Sequence, residues 1–378
     1  MTQRGVATDH RVRELIASHV RDRAADWFPE VDRPSLRVTV LANRPKSSLY
    51  GVHVRPDGND PQIFAKVRHD RERPGAVGST RPEPRPRLHA VPTTAAEYTR
   101  LEYSGLRSIE EAFARAEVGF AAAVHPFEAL PDDGLLLMAY VRGRTLRDSL
   151  LTRARWNRLR SGSADSAIMW RLAGRWLRHF HDVASFPSRP EHQSSRAEAS
   201  SLCLAYGRYL SDRLRAPDVD DLASTAAALA AQALPERLPL VVGHGDFAPR
   251  NVFDADGKVA VFDPMPRWRV PPYEDIGRFL IGLRLVGPQM YTVGAALSRS
   301  DIDRREREFL SGYYGDGAVP WPAVRWYQIL ILLDKWAATV ESGRRSRLGR
   351  VGLGLANRYA RAEAMRLLAS LRSVTGRQ

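Results

Sequence analysis

Cysteine is nearly absent from this chain, because Cys203 is the single one among 378 residues. A lone cysteine excludes an internal disulfide framework and suits a reducing compartment. Long apolar runs are missing too, since no uninterrupted stretch approaches the ~20 residues that span a bilayer. Residues 1–20 also lack the apolar core of a signal peptide. These absences predict a cytoplasmic protein without a transmembrane segment.

Acidic residues are outnumbered: 43 Asp and Glu stand against 57 Lys and Arg, and the formal net charge is +14. Much of the excess lies in two segments. Residues 142–178 hold ten Arg against two Asp, and residues 335–378 hold nine Arg and one Lys against two Glu. The sequence has no zinc-ligand spacing and no recognised nucleic-acid motif, so basicity is the main support for nucleic-acid binding. The sequence contains 44% hydrophobic residues and eight Trp, and this composition together with its length predicts a folded chain of two or more domains.

The stretch from Val241 to Pro264 reads VVGHGDFAPRNVFDADGKVAVFDP and carries three oxygen-bearing side chains at short intervals. Asn251 follows Asp246 by one tight loop, and a predicted hairpin then leads to Asp263. Phosphoryl transfer is mostly a problem of positioning and of neutralising charge on oxygens. Asp246 is suited to orient or deprotonate an attacking hydroxyl, while Asn251 and Asp263 offer oxygen ligands for Mg²⁺. The pattern therefore predicts a site for a metal and a nucleotide.

This block resembles the catalytic core of the aminoglycoside phosphotransferase and choline kinase superfamily, the small-molecule relatives of protein kinases. Protein kinases carry His-Arg-Asp followed by an Asn, and their metal Asp lies in Asp-Phe-Gly. Gly245 stands here at the Arg position and Pro264 at the Phe position, as is usual in the small-molecule branch. The resemblance covers most of residues 36–290. It implies an α+β, bilobal, protein-kinase-like fold, with Mg²⁺ as cofactor and ATP or GTP as co-substrate.

By the same resemblance, residues 1–140 form a nucleotide-binding lobe with a small antiparallel sheet, and residues 141–378 form a mainly helical lobe with the catalytic loops and the acceptor site. An amphipathic helix is predicted over residues 8–29. Alternating apolar residues predict three strands, at 36–41, 49–54 and 63–67. A Pro- and Arg-rich insertion at 68–92 either folds over the nucleotide or an anionic acceptor, or is a solvated loop.

Lys66 lies within the third apolar strand, where a lysine is costly to bury unless its ammonium group pairs with an anion. The resemblance implies that Lys66 contacts the α- and β-phosphates. A helix capped by Thr93 or Thr94 follows it. By resemblance Glu97 of that helix pairs with Lys66, and Glu102 is the competing assignment.

Residues 43–48 occupy the place of the phosphate-covering loop, although they lack the Gly-x-Gly-x-x-Gly pattern of protein kinases. Ser47 and Ser48 are expected to donate hydroxyl and amide hydrogens to the phosphates, as serines do in this superfamily. A plain hairpin turn explains the same residues.

Residues 135–143 fit the hinge of the family, because a predicted buried strand runs into a Gly before a helix at Thr145. Backbone groups from Met138 to Tyr140 are then expected to meet the adenine edge. Two further residues are interpreted as structural: Asp275 as a brace for the catalytic loop and His181 as a hydrogen-bonding group of the core.

The acceptor is expected to be a small molecule. Superfamily members that act on polycationic aminoglycosides are acidic in the helical lobe, whereas this chain is basic there, which predicts a neutral or anionic acceptor. The segment after Asp263 is too short for the activation segment of a peptide kinase. Three alternatives stay open: Arg-rich helices that are solvated faces, a nucleotide-binding pseudokinase, and a basic nucleic-acid-binding protein, which the missing motifs do not favour.

Overall fold

The computed structural model describes residues 3–32, 34–44, 46–55, 59–70, 84–89, 94–156, 165–183, 189–343 and 347–376. Contacts group the chain into two compact units. The first comprises Met1–Ala76, Val91–Glu117 and Ala122–Arg142, and the second comprises Val77–Ala90, Val118–Ala121 and Gly143–Gln378. Most of the predicted insertion, residues 71–83 and 90–92, and the cap candidate Thr93 lie outside the described residues.

The first unit contains a five-stranded sheet whose neighbouring strands are all antiparallel, in the order β1-β2-β3-β5-β4. The three strands predicted at the start of the chain are confirmed. Each of them contains β-branched residues that are at least partly buried, as is typical of strands in a half-buried sheet. The strands are β1 (Arg37–Arg44), β2 (Ser47–His53), β3 (Ile63–Arg68), β4 (Pro126–Leu130) and β5 (Leu135–Ala139).

Two helices accompany this sheet. The helix α1 (Gln3–Trp27) places Ile16 and Val20 in one apolar cluster with buried side chains of β2, β3 and β5. The helix α2 (Ala95–Arg115) begins after Thr94, whose side chain accepts a hydrogen bond from the Glu97 amide. That capping bond satisfies one of the amides that a helix start leaves open.

The second unit is mainly helical and carries two small antiparallel sheets. The sequence-based α+β class, with a sheet in the N-terminal part and helices in the C-terminal part, is confirmed. The strands of the second unit are β6 (Arg144–Thr145), β7 (Val241–Val242), β8 (Val252–Ala255), β9 (Lys258–Val261) and β10 (Arg269–Val270). Its helices are α3 (Leu146–Trp156), α4 (Asp165–Val183), α5 (Arg196–Leu214), α6 (Pro217–Ala228), α7 (Ala230–Ala233), α8 (Pro272–Arg284), α9 (Gly287–Tyr291), α10 (Arg299–Tyr314), α11 (Trp321–Gly343) and α12 (Arg347–Thr375).

The core of the second unit is built around α11, whose run Ile329–Leu333 is fully buried. A helix that is apolar on all sides is stable only inside a protein, and α11 packs against α5, α8 and α12. A second layer of stacked rings, which includes Trp176, Phe247 and Phe279, lies under the loop that follows β7. In the part of the chain that the structure describes, no helix is long and apolar enough to cross a membrane.

Of the described residues of the insertion, 68–70 belong to the first unit and 84–89 to the second. Leu88 is buried in the core cluster of that unit. Arg85 donates to Asp334 at 2.8 Å, and His89 lies 2.9 Å from Glu274. Residues 84–89 are therefore anchored by an apolar contact and by polar contacts of Arg85 and His89.

Candidate active site

The catalytic loop predicted from the sequence lies between β7 and β8 in the second unit. Gly245 has a φ of +83°, and a Cβ atom there would stand 2.8 Å from the carbonyl oxygen of Met265. Only glycine adopts this conformation at low cost and also leaves the space empty. The loop shape that presents Asp246 therefore requires Gly245.

Asp275, at the start of α8, holds this loop in place. Its Oδ2 accepts a hydrogen bond from the His244 amide at 2.6 Å, and its Oδ1 accepts one from the Gly245 amide at 3.1 Å. His181 Nε2 lies 3.3 Å from the same Oδ2, and its Nδ1 lies 2.8 Å from the Tyr313 hydroxyl. These contacts agree with the bracing role inferred for Asp275 and the core role inferred for His181.

His244 packs beneath the loop and has a structural role there. Its side chain is fully buried among Trp176, Phe180 and Phe247, and burial lowers its pKa. The ring thus favours its neutral form, and its Nδ1 lies 3.4 Å from the amide of Asp246.

Asp246 is ionised and oriented by two neighbours. The Arg250 Nη2 donates to both carboxylate oxygens, at 2.5 and 2.6 Å, and Asn251 Nδ2 donates to Oδ2 at 3.1 Å. Burial opposes ionisation, but the positive charges of Arg250 and Lys335 hold the pKa of Asp246 below its usual value. The side chain remains 32% exposed, so an acceptor hydroxyl has access to it.

Asp263 is tied to the catalytic loop from both sides. The Phe262 amide donates to the Asn251 carbonyl at 2.9 Å, and the Met265 amide donates to the His244 carbonyl at 2.7 Å. Asp263 itself adopts the left-handed conformation, with a φ of +59°, which Asp tolerates better than most residues. The predicted hairpin of β8 and β9 is confirmed between Asn251 and Asp263.

The side chains present suit a magnesium ion that arrives with a nucleotide. Asn251 donates from its Nδ2 to the carbonyl and Oδ2 of Asp246, which leaves its Oδ1 to coordinate a metal ion. Among the described residues no group of three or more His, Cys, Asp and Glu forms a metal cage. Because Mg²⁺ keeps waters and phosphate oxygens as ligands, one carboxylate from Asp263 and one amide oxygen meet its needs.

In the first unit, the partner of Lys66 is Glu102 and not Glu97. Lys66 Nζ donates to both oxygens of Glu102, at 2.9 and 3.0 Å, and Arg68 donates to the same carboxylate. The assignment of Glu97 to this pair is thus corrected. Glu97 lies in the first turn of α2 beside Thr94, whereas Glu102 lies on the helix face that is buried.

The remaining predicted nucleotide contacts also lie in the first unit, at the ends of strands. Ser47 and Ser48 open β2, where they pair with Arg44 and Asn43 at the adjoining end of β1. The Ser48 hydroxyl lies 3.0 Å from His69 Nε2. A role for both serines at the phosphates stays a prediction.

Met138 lies in β5 and is fully buried, as the hinge prediction requires of the strand. The Tyr140 amide donates to the Gln62 carbonyl at 2.9 Å, so Tyr140 offers its carbonyl rather than its amide to an adenine ring. A contact of the Met138 and Tyr140 backbone with adenine stays a prediction, and for Tyr140 it would use the carbonyl group.

A cavity of about 410 Å³ opens beside Asp246 within the second unit. Among the described residues that line it, Asp246 is the one acidic side chain and four are cationic: Arg147, Arg250, Arg278 and Lys335. Arg278 is neutralised by Glu274, to which it donates at 2.8 and 3.0 Å. The described lining therefore carries more cationic than acidic side chains next to Asp246.

Lys335 is the cation that the sequence-based reasoning missed. It lies on α11, lines the cavity, and its Nζ makes no hydrogen bond or salt bridge within the described part of the chain. Burial and the nearby Arg278 lower its pKa. No local pattern signals this role, because Lys335 is far from Asp246 along the chain. Arg250, by contrast, was detectable from its spacing of four residues after Asp246.

Residues 110–310 match the model of the phosphotransferase enzyme family. The match spans the catalytic loop, Asn251 and Asp263, and the chain therefore belongs to this family. The sequence-based assignment to the aminoglycoside phosphotransferase and choline kinase superfamily is confirmed. No curated protein matches the chain closely in sequence.

Three solved structures of small-molecule kinases resemble the chain over most of its length. A choline/ethanolamine kinase family protein from Mesorhizobium loti is 17% identical, with a TM-score of 0.51 and coverage of 94% of this chain and 99% of that one. An ethanolamine kinase from Plasmodium vivax is 11% identical, with a TM-score of 0.53 and coverage of 89% and 84%. A choline kinase from Cryptosporidium parvum Iowa II is 11% identical, with a TM-score of 0.52 and coverage of 96% and 96%. At these identities the likeness concerns the fold, which is protein-kinase-like as predicted.

Proposed function

We propose that this chain transfers the γ-phosphoryl group of ATP, or of GTP, to a hydroxyl of a small acceptor. One observation carries the proposal: hydrogen bonds hold Asp246, Asn251 and the backbone on both sides of Asp263 in one assembly. Membership of the phosphotransferase family supports the reaction class. The two carboxylates and the amide are the groups that such a reaction needs.

The roles follow from the contacts. Asp246, kept ionised by Arg250, accepts the proton of the acceptor hydroxyl as its oxygen bonds to the γ-phosphorus and the bond to the nucleoside diphosphate breaks. Asn251 and Asp263 are the residues that would hold magnesium, which supplies positive charge for the phosphate oxygens when bound. Lys66, positioned by Glu102, is proposed to contact the α- and β-phosphates.

The acceptor is proposed to be neutral or anionic. The charged groups around the cavity at Asp246 support this, since its cationic lining residues outnumber the single carboxylate. A polycationic acceptor would be repelled there, whereas a carboxylate or a phosphate group would find Lys335 without a protein partner among the described residues. We also propose that residues 1–140 act as the nucleotide-binding lobe and residues 141–378 as the acceptor lobe. The cytoplasmic location stays a prediction.

The test is release of ADP from ATP and Mg²⁺ in the presence of an acceptor panel. The panel contains hydroxy acids and sugar phosphates, neutral sugars and polyols, and cationic aminoglycosides and choline. We expect turnover with neutral or anionic acceptors, and we expect Asp246→Asn to lower kcat by at least about a hundredfold, the scale of general-base catalysis. Asp256→Asn, an exposed change in the turn between β8 and β9, is the matched control and should leave kcat unchanged.

Two outcomes would overturn the proposal. Nucleotide binding without turnover of any acceptor would favour the pseudokinase alternative. Full activity of the Asp246→Asn variant would remove Asp246 from the chemistry. Turnover confined to aminoglycosides or choline would keep the reaction and reject the inference about acceptor charge.

A further inference from the structure

A second cavity, of about 500 Å³, lies in the second unit among the helices α8, α10, α11 and α12. It shares no lining residue with the cavity beside Asp246. Five of its lining residues are arginines: Arg284, Arg299, Arg307, Arg325 and Arg366. Of the lining residues that the structure describes, two are acidic, Asp303 and Glu306, so this lining carries an excess of positive charge.

Part of this arginine cluster has a structural role. Arg284 is almost fully buried and pairs with Asp303, Glu306 and Glu363. Arg325 donates to Glu306, and Arg366 donates to Glu363. These pairs link the four helices, and three of the five guanidinium groups are thereby accounted for.

The other two arginines of the cluster are exposed. Arg307 is exposed and makes no salt bridge or side-chain hydrogen bond within the described ranges of the chain. Arg299 lies 3.6 Å from Glu363, beyond hydrogen-bond distance, and its side chain is 54% exposed. Glu363 also pairs with Arg284 and Arg366, so three guanidinium groups share one carboxylate and positive charge is left in excess there.

The rest of the lining also suits an organic anion. The first turns of two long helices, α10 at Arg299 and α11 at Trp321, contribute to the wall, and helix starts carry a partial positive charge. Trp321, Leu367 and Val374 supply an apolar surface beside the arginines. Arginine forks bind the tetrahedral oxygens of phosphate groups well. The guanidinium of Arg325 lies 4.7 Å from the centroid of the Trp321 ring, so the ring and a cation stand side by side in this wall.

We propose that this cavity is a binding site for a small organic anion of the phosphate-monoester class, separate from the site of phosphoryl transfer. Arg299 and Arg307 hold the phosphate oxygens, and Trp321 with its apolar neighbours contacts the organic group. Arg284 and the carboxylates around it keep the two exposed arginines in place by fixing the helices that carry them.

Calorimetric titration of the full chain with phenyl phosphate tests the site directly. We expect saturable binding that is tighter than the binding of inorganic phosphate, with none for phenol. The double variant Arg299→Gln and Arg307→Gln should weaken the binding at least about tenfold, because two charge-assisted hydrogen bonds are lost. Both side chains are exposed, so the variant should keep the melting temperature of the unmodified chain.

Two control variants make the result specific. Arg304→Gln removes an exposed arginine of the same helix that does not line the cavity, and it should leave binding unchanged. Lys335→Gln, in the other cavity, should also leave it unchanged. Absence of saturable binding, equal affinity of the double variant, or loss of affinity in Lys335→Gln alone would each overturn the proposal.

Discussion

Single charged residues beside Asp246 set the ionisation and orientation of the carboxylate that we propose to be catalytic. Arg250 donates to both of its oxygens, and this contact keeps Asp246 ionised and aimed. Lys335, farther along the chain, adds positive charge at the cavity. A catalytic loop that is typical of a family thus acquires its particular electrostatics from residues outside the motif.

Arg250→Gln should move the acidic limb of the profile of kcat/KM against pH to higher pH. The substitution removes the positive charge that lowers the pKa of Asp246, so the carboxylate binds its proton at a higher pH and the base is lost earlier on acidification. Measurement of kcat/KM from acid to neutral pH checks this shift. Arg269→Gln, at an exposed arginine paired with Glu191, is the control, and an unchanged limb in the Arg250 variant would contradict the prediction.

Lys335→Gln should raise the KM for an anionic acceptor by about tenfold or more, the worth of one hydrogen bond to a charged group. The KM for a neutral acceptor should change little, because the lysine then has no anion to contact. Lys258→Gln, at an exposed position of β9, is the matched control. Equal effects on anionic and neutral acceptors would show that Lys335 acts through the structure of α11 instead.

Among the elements, the loop between β7 and β8 depends on backbone shape more than on side chains. Asp275 at the start of α8 binds the amides of two consecutive loop residues, and Gly245 makes the sharp turn between them possible. The loop is therefore held by one helix and one glycine, and the stacked rings below it supply a rigid floor.

Gly245→Ala and Gly257→Ala separate backbone strain from steric conflict. Both glycines have a positive φ, but only Gly245 would bring a Cβ atom against a carbonyl oxygen, whereas the Cβ at Gly257 would meet nothing within 4 Å. Gly257→Ala should cost about 1–2 kcal/mol of stability and leave kcat unchanged. Gly245→Ala should cost more and also lower kcat. Urea unfolding and ADP release measure both, and equal kcat values for the two variants would contradict the role of the loop.

At the level of the whole molecule, the second unit contains buried ion pairs that cross between helices. Burial alone would raise the pKa of Glu306, but Arg284 and Arg325 lower it, and the same holds for Glu274 with His89 and Arg278. A carboxylate whose pKa is lowered by folding stabilises the protein above its usual pKa. That stability is lost as the pH falls through the pKa of the folded state.

Glu306→Gln should therefore destabilise the chain at pH 7 by about 3–5 kcal/mol, because Arg284 and Arg325 lose a shared buried partner. It should also make the unfolding free energy less dependent on pH in acid. Glu308→Gln, in the same helix but in a pair with the half-exposed Arg171, should cost at most about 1 kcal/mol. Urea unfolding at neutral and acidic pH tests both, and similar losses in the two variants would contradict the argument.

Local patterns were sufficient for much of the site. The loop with Asp246 and Asn251, the hairpin that leads to Asp263 and the strand of Lys66 could be predicted because each depends on residues that are close in sequence. The choice of Glu97 over Glu102 as the partner of Lys66 was wrong, although the spacing of residues in α2 indicates Glu102. Thr99, Glu102, Leu106 and Ile109 recur every three or four residues and are buried on one face.

The amino-acid order alone was enough for the fold class and the family, through the resemblance that its motif carries. It was also enough to propose Asp246, Asn251 and Asp263 as a site, since turn chemistry, alternation and motif spacing act over a few residues. Folding was needed to bring Lys335 of α11 to Asp246 and Asp275 of α8 to the loop amides. It also gathered arginines of four helices around a second cavity. Such contacts depend on how helices pack, and packing joins residues that no local pattern connects.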